Sequence, residues 1–118
     1  MYKINNSNVT VMVSDMNKSV DFYTKGLGLD LKQRWEDYYA MVAAPGVIIG
    51  LHPAQKVNER PNDISIGFSI DNLTQVEDRL KELRIKYERA EDGGGYYFNF
   101  KDPDGTPLYF MQLKEGNW

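Results

Sequence analysis

Sliding the sequence against itself by 57 residues lays Val9 on Ile66, Val11 on Phe68, Val13 on Ile70, Met16 on Leu73 and Tyr23 on Leu80. The apolar pattern therefore recurs at about half the length of a 118-residue chain. Identity between the halves is weak, and two amphipathic patterns can match by chance. Element order agrees as well as period, and agreement across levels argues for a tandem repeat of one unit, strand–helix–strand–strand–strand.

In the first copy, Asn8-Val9-Thr10-Val11-Met12-Val13-Ser14 alternates, so three valines share one strand face and Asn8, Thr10 and Met12 the other. Asp15 or Asn17 can cap a helix through Met16, Val20 and Tyr23, with Gly26 and Gly28 as its stop. Extended segments follow at about Leu29–Glu36, Tyr38–Ala44 and Val47–His52, the last two joined by a Pro45-Gly46 turn. In the second copy, Ile64, Ile66, Phe68 and Ile70 alternate with Ser65, Gly67 and Ser69. Asn72 then opens a helix with Leu73, Val76, Leu80 and Leu83 as its apolar stripe. Strands are expected at about Lys86–Ala90, Tyr96–Lys101 and Thr106–Leu113, the last pair joined by the turn residues Asp102-Pro103-Asp104-Gly105. One domain spans 1–118, with module one at about 7–52, a polar linker at 53–62 and module two at about 63–114.

If the valine and isoleucine faces pack on their helices, the small and polar opposite faces leave volume for a ligand or lie against solvent. Composition narrows the chemistry. Cysteine is absent, which removes thiol nucleophiles, cysteine-bound zinc and disulfides, and the single histidine, His52, removes any two-imidazole metal site. Lysine and arginine (14) fall short of aspartate and glutamate (17), so nothing points to nucleic acid. No apolar run is long enough to span a membrane, and the opening residues lack an apolar leader core, so the expected compartment is the cytoplasm.

Val13-Ser14-Asp15-Met16, Ser19-Val20-Asp21-Phe22-Tyr23 and Leu27-Gly28-Leu29 resemble the first module of the glyoxalase/bleomycin resistance/dioxygenase group, the vicinal oxygen chelate superfamily. Phe68-Ser69-Ile70-Asp71-Asn72-Leu73 and Phe100-Lys101-Asp102-Pro103-Asp104-Gly105 resemble its second, so the resemblance covers essentially the whole chain. It implies an α+β fold of tandem βαβββ modules forming curved mixed sheets around a cavity, helices outside, and a homodimer. It also implies metal-ligand positions on the first, fourth, fifth and eighth strands, usually His or Glu. Here they fall on Asn8, Gly50, Ser65 and Tyr109, none a normal ligand for such an ion. His52, two residues from Gly50 and on the same face, is a lone imidazole expected at a pocket rim.

The expected function is therefore metal-free small-molecule binding without a cofactor, similar to the bleomycin resistance branch, with an antibiotic or another aromatic or cationic compound as ligand. The expected binding residues are Asn8, Thr10, Met12, Trp35, Tyr39, Gly50, His52, Ser65, Gly67, Tyr97, Tyr109 and Met111. Trp35, Tyr38, Tyr39, Tyr96, Tyr97, Phe98, Phe100 and Tyr109 offer flat faces, about half of them core by the general preference of strands for aromatics. Glu36, Asp37, Glu91 and Asp92 are either an acidic mouth or solvated loop charge, and Gly93-Gly94-Gly95 either a hinge or an ordinary flexible connection. The competing readings are a lyase, isomerase or dioxygenase-like enzyme with a displaced or absent metal site, and a regulatory or immunity protein that uses the sheet for protein contact.

Overall fold

Alternation in the first strand seats the first helix, because Val11 and Val13 share a face and pack in the cluster that holds Met16 and Val20. The computed structural model describes residues 2–54 and 60–114. Two units emerge: one from Asn8 to Ile64, the other from the residues up to Ser7 together with those from Ser65 onward. The first contains β1 (Ile4–Val13, from Asn8), α1 (Met16–Asp21), β2 (Asp30–Trp35), β3 (Tyr39–Ala44) and β4 (Val47–Pro53), with strands ordered β2-β3-β4-β1. β1 runs parallel to β4, and the remaining pairs are antiparallel. Val13, Met16, Val20, Ala40, Val42 and Leu51 form its core, flanked by Val11, Tyr23, Leu29 and Ile49. The carboxylate of Asp15 accepts from the Lys18 amide at 3.0 Å, which satisfies one of the orphan donors at the start of α1. After Asp21 the helix widens into a π-helical turn over Phe22–Gly26 and stops at Gly28, whose φ of +83° only glycine adopts without strain.

The second unit repeats the plan with β5 (Ile64–Ile70), α2 (Leu73–Glu82), β6 (Glu88–Glu91), β7 (Gly95–Lys101) and β8 (Pro107–Leu113), ordered β5-β8-β7-β6. Again the first strand is parallel to the last and the others are antiparallel. Its core holds Ile70, Leu73, Val76, Leu80, Phe98 and Phe110, with Phe100 stacked on Phe110 at 5.3 Å. Asn72 caps α2 by accepting from the Thr74 amide, and the Gln112 side chain accepts from Leu73. The fold is thus the α+β arrangement of tandem βαβββ units that the repeat predicts, with mixed sheets.

Several local expectations are corrected. β1 starts at Ile4, ahead of Asn8, and its first four residues are exposed, so apolar alternation does not mark them. Its exposed opening residues group with the second unit, where the Tyr2 ring meets Phe110 edge-on and the Asn5 amide donates to Asp71. Leu83 leaves the stripe of α2: it is the C-terminal cap and is 52% exposed. Tyr38 lies in the β2–β3 turn at 68% exposure rather than in a strand, since Glu36 takes a positive φ of +48° and ends β2 at Trp35. Of the expected linker, 55–59 lie outside the described residues, and Arg60–Asp63 forms a turn closed by the Arg60 amide on the Asp63 carboxylate. Among the described residues no helix is long and apolar enough to cross a membrane.

Candidate functional site

In the first unit the sheet face opposite α1 is built in rows. Asn8 and Thr10 are buried, and the Asn8 amide donates to the Thr10 hydroxyl at 3.2 Å. Thr10 aligns with Gly50, and Gly50 with Met41. Met41 is 4% exposed yet stands apart from the helix-side core, so the apolar volume on this second face is its own. In the next row Met12 pairs with His52 and Trp35 pairs with Tyr39. The Trp35 and Tyr39 rings are 5.6 Å apart, and those of Tyr39 and His52 6.3 Å apart. Tyr39 leans across the rows: a Cβ on Gly50 would stand 1.9 Å from its phenol oxygen. Glycine at 50 is therefore what gives this ring its place.

The polar details set the chemistry of that face. His52 Nδ1 lies 2.9 Å from the Pro53 carbonyl, and a carbonyl oxygen has no proton to give. In a neutral ring this contact places the hydrogen on Nδ1 and the lone pair on Nε2. Arg34 fixes the turn that carries Trp35 and Tyr39. It donates to the Glu36 carbonyl, to Asp37 and to Asn17 in the first turn of α1. Asp37 is thus tied into the turn, and an acidic mouth at this end has one fewer carboxylate to offer.

The second unit uses the same device with the partners exchanged. Gly67 of β5 pairs with Tyr109 of β8, and a Cβ on Gly67 would stand 2.1 Å from the Tyr109 ring. Tyr97 meets Tyr109 at 6.1 Å, and buried Met111 aligns with both Ser69 and Tyr97. Ser65 sits half-buried near the start of β5. The end of the glycine run is fastened by hydrogen bonds. One Asp92 carboxylate oxygen accepts from the Gly94 amide, the Gly95 amide and the Tyr97 hydroxyl, and Gly95 is pressed against the Gln112 carbonyl.

Of the residues expected to bind, Asn8, Thr10, Met12, Trp35, Tyr39, Gly50 and His52 occur together in the first unit, and Ser65, Gly67, Tyr97, Tyr109 and Met111 in the second. Sequence reasoning missed Met41, although the alternation Tyr39-Ala40-Met41-Val42-Ala43 carries the signal: Ala40 and Val42 join the helix-side core and Met41 does not. Phe98 and Phe100 are core aromatics, and Tyr96 is 41% exposed beneath the Lys114 ammonium.

A separate groove of about 490 Å³ opens beside α2, lined among others by Thr74, Glu77, Arg89, Tyr96 and Phe98. Tyr97 is the one expected binding residue that reaches it. Its charged groups Glu77, Arg89 and Glu91 are engaged. Tyr87 and Arg89 both donate to Glu77, and the Tyr87 hydrogen bond holds the Glu77 carboxyl below its ordinary range while raising the Tyr87 phenol. Lys114 is raised by its hydrogen bond to Glu91. On the opposite sheet faces, by contrast, polar and soft side chains are grouped without forming the helix-side core.

Two βαβββ units, each with its helix on one face and polar, glycine and soft residues on the other, define the paired-module α+β class. The chain belongs to the Glyoxalase/Bleomycin resistance protein/Dioxygenase superfamily, whose family model matches residues 7–110. It is 32% identical over 113 residues to Glyoxylase I 4 of Arabidopsis thaliana, covering 84% of this chain and 65% of that protein. It thus spans somewhat less than two thirds of that relative. It is 29% identical over 107 residues to Glutathione transferase FosA of Serratia marcescens, covering 86% of this chain and 76% of that one. Among solved structures, the NAD-dependent benzaldehyde dehydrogenase crystal structure from Legionella pneumophila aligns with a TM-score of 0.80 at 20% identity, covering 92% of this chain and all of that one, a likeness of fold.

The metal that the resemblance implies does not suit the residues at its positions. Asn8 is engaged with Thr10, the side-chain space of Gly50 is filled by Tyr39, and Tyr109 lies across Gly67. Ser65 offers a neutral hydroxyl where imidazole or carboxylate is wanted. Among the described residues no three His, Cys, Asp or Glu side chains are grouped to hold a metal ion.

Proposed function

We propose that this chain binds a small planar aromatic molecule on the sheet faces opposite its helices, without a divalent metal, as a sequestering protein rather than a catalyst. The observation that supports this most is the pair of tyrosines seated over glycines, Tyr39 over Gly50 and Tyr109 over Gly67. Each places a flat, half-buried phenol where the family pattern would place or adjoin a metal ligand, exchanging an ion-binding group for a stacking and hydrogen-bonding one. An aromatic ligand is better supported than a cationic one, since Asp37, Glu91 and Asp92 are engaged with Arg34, Lys114 and the glycine loop. The binding residues are those named above with Met41 added. Antibiotics with flat heteroaromatic parts fall in this ligand class, and a homodimer is the proposed assembly.

The names of the two curated relatives, a glyoxalase and a transferase, favour a second reading as an enzyme with a displaced metal. Metal analysis of chelator-free protein, run beside thermal-shift screening against flat heteroaromatics, separates the two. No stoichiometric nickel, zinc, iron or manganese and a melting point raised by aromatic compounds is expected. One tightly held ion per chain would overturn the metal-free reading.

A further inference from the structure

We propose that the Trp35–Tyr39–His52 row of the first unit selects planar rings bearing a hydroxyl or N–H group, with His52 Nε2 as the acceptor that reads it. This rests on the reading of that face as a ligand site and names the class of ligand it takes. Trp35, Tyr39, His52 and Met12 are each half-buried, standing between the exposure of Tyr38 and the full burial of Ala40 and Leu51. The rings follow one another at 5.6 and 6.3 Å and none is fully buried, so they form a strip of π surface. Within that strip the imidazole has a fixed polarity. Pro53 takes the Nδ1 hydrogen, so the neutral ring presents Nε2 as an acceptor. A bound ring with a donor pairs with Nε2. An isosteric ring capped by a methyl group removes the same water from Nε2 and returns nothing, and the loss of such a partner sets specificity more strongly than added apolar contact does.

The test uses naphthol and its methyl ether, methoxynaphthalene, titrated by calorimetry into the full chain, with the ring nitrogens of His52 followed by NMR. His52 is the sole histidine, so its signals need no assignment. With the ring neutral, the free protein should show the hydrogen on Nδ1. Naphthol should bind about five- to tenfold tighter than the ether, the size of one neutral hydrogen bond, and move the Nε2 resonance where the ether does not. His52→Leu should remove the preference while keeping ether binding, and His52→Gln, whose amide oxygen still accepts, should keep part of it. Equal binding of the two compounds, a preference that survives His52→Leu, or an unmoved Nε2 resonance overturns the inference and leaves the flat-ring reading standing. Failure of both naphthalenes to bind overturns that reading too.

Discussion

Tyr39 over Gly50 and Tyr109 over Gly67 solve one packing problem in opposite directions. In the first unit the glycine is on the last strand, β4, and the phenol comes from its antiparallel neighbour β3. In the second the glycine is on the first strand, β5, and the phenol comes from its parallel neighbour β8. The duplicated plan keeps the volume relation, one ring for one missing side chain, and lets the strand that supplies each partner change. Gly95 looks similar by distance and differs in kind, because the atom an added Cβ would meet at 2.7 Å is the backbone carbonyl oxygen of Gln112, not the end of a side chain. A ring can swing away, whereas a β-ladder cannot.

The largest effects should come from the cores that make the two units comparable. Phe110→Ala in the second unit should cost about 3–5 kcal/mol and Leu51→Ala in the first about 2–5 kcal/mol by urea denaturation. A loss below 1 kcal/mol for either would mean that its unit is not held by the helix-side cluster. Next, Gly95→Ala should cost about 1–3 kcal/mol by forcing β7 from β8, well above Gly50→Ala or Gly67→Ala, where the tyrosine yields. Similar costs at all three sites would erase the distinction between ring and backbone neighbours. Double-mutant cycles pairing Gly50→Ala with Tyr39→Ala, and Gly67→Ala with Tyr109→Ala, should each show coupling of about 0.5–3 kcal/mol, and coupling in only one unit would break the parallel.

The smallest expected effect is on pH dependence and belongs to the second unit. Glu77 and Asp102 are held below their ordinary values of 4.5 and 3.8, Glu77 chiefly by Tyr87 and Asp102 chiefly by the Thr106 amide. Stability from a depressed carboxyl is complete above the ordinary value and is lost as pH falls through the lower folded one. Glu77→Gln should therefore flatten the acid limb of a melting-temperature profile below about pH 4.5. Tyr87 and Lys114, both raised, contribute at neutral pH and lose that contribution as pH climbs through their folded values, above 10.0 and 10.5. An acid limb unchanged by Glu77→Gln would show that its hydrogen bonds are not felt in folding.

Much of the fold was legible because it rests on period and punctuation. The valine and isoleucine alternations place β1 and β5, and Asp15 and Asn72 start their helices by local hydrogen bonds. Leu83 misled because a stripe of correct spacing does not reveal where the helix ends, and Tyr38 misled because a turn with a positive φ at Glu36 interrupts an aromatic-rich run. Met41 escaped notice because an apolar residue between apolar neighbours hides which face it serves. The glycine run read as loose because the bonds that fasten it come from one aspartate whose geometry a string of letters does not contain.

The sequence by itself determined the duplicated α+β plan, the helix-side cores and the residue types at the four family positions, since these follow from periodicity, capping and chemical identity. Tertiary structure decided which strand lends a ring to which glycine, that Asp92 fastens the loop before β7, and that His52 turns Nδ1 toward its neighbour's carbonyl. Those outcomes depend on register and on distances of a few ångströms, which a one-dimensional pattern of polar and apolar residues does not encode.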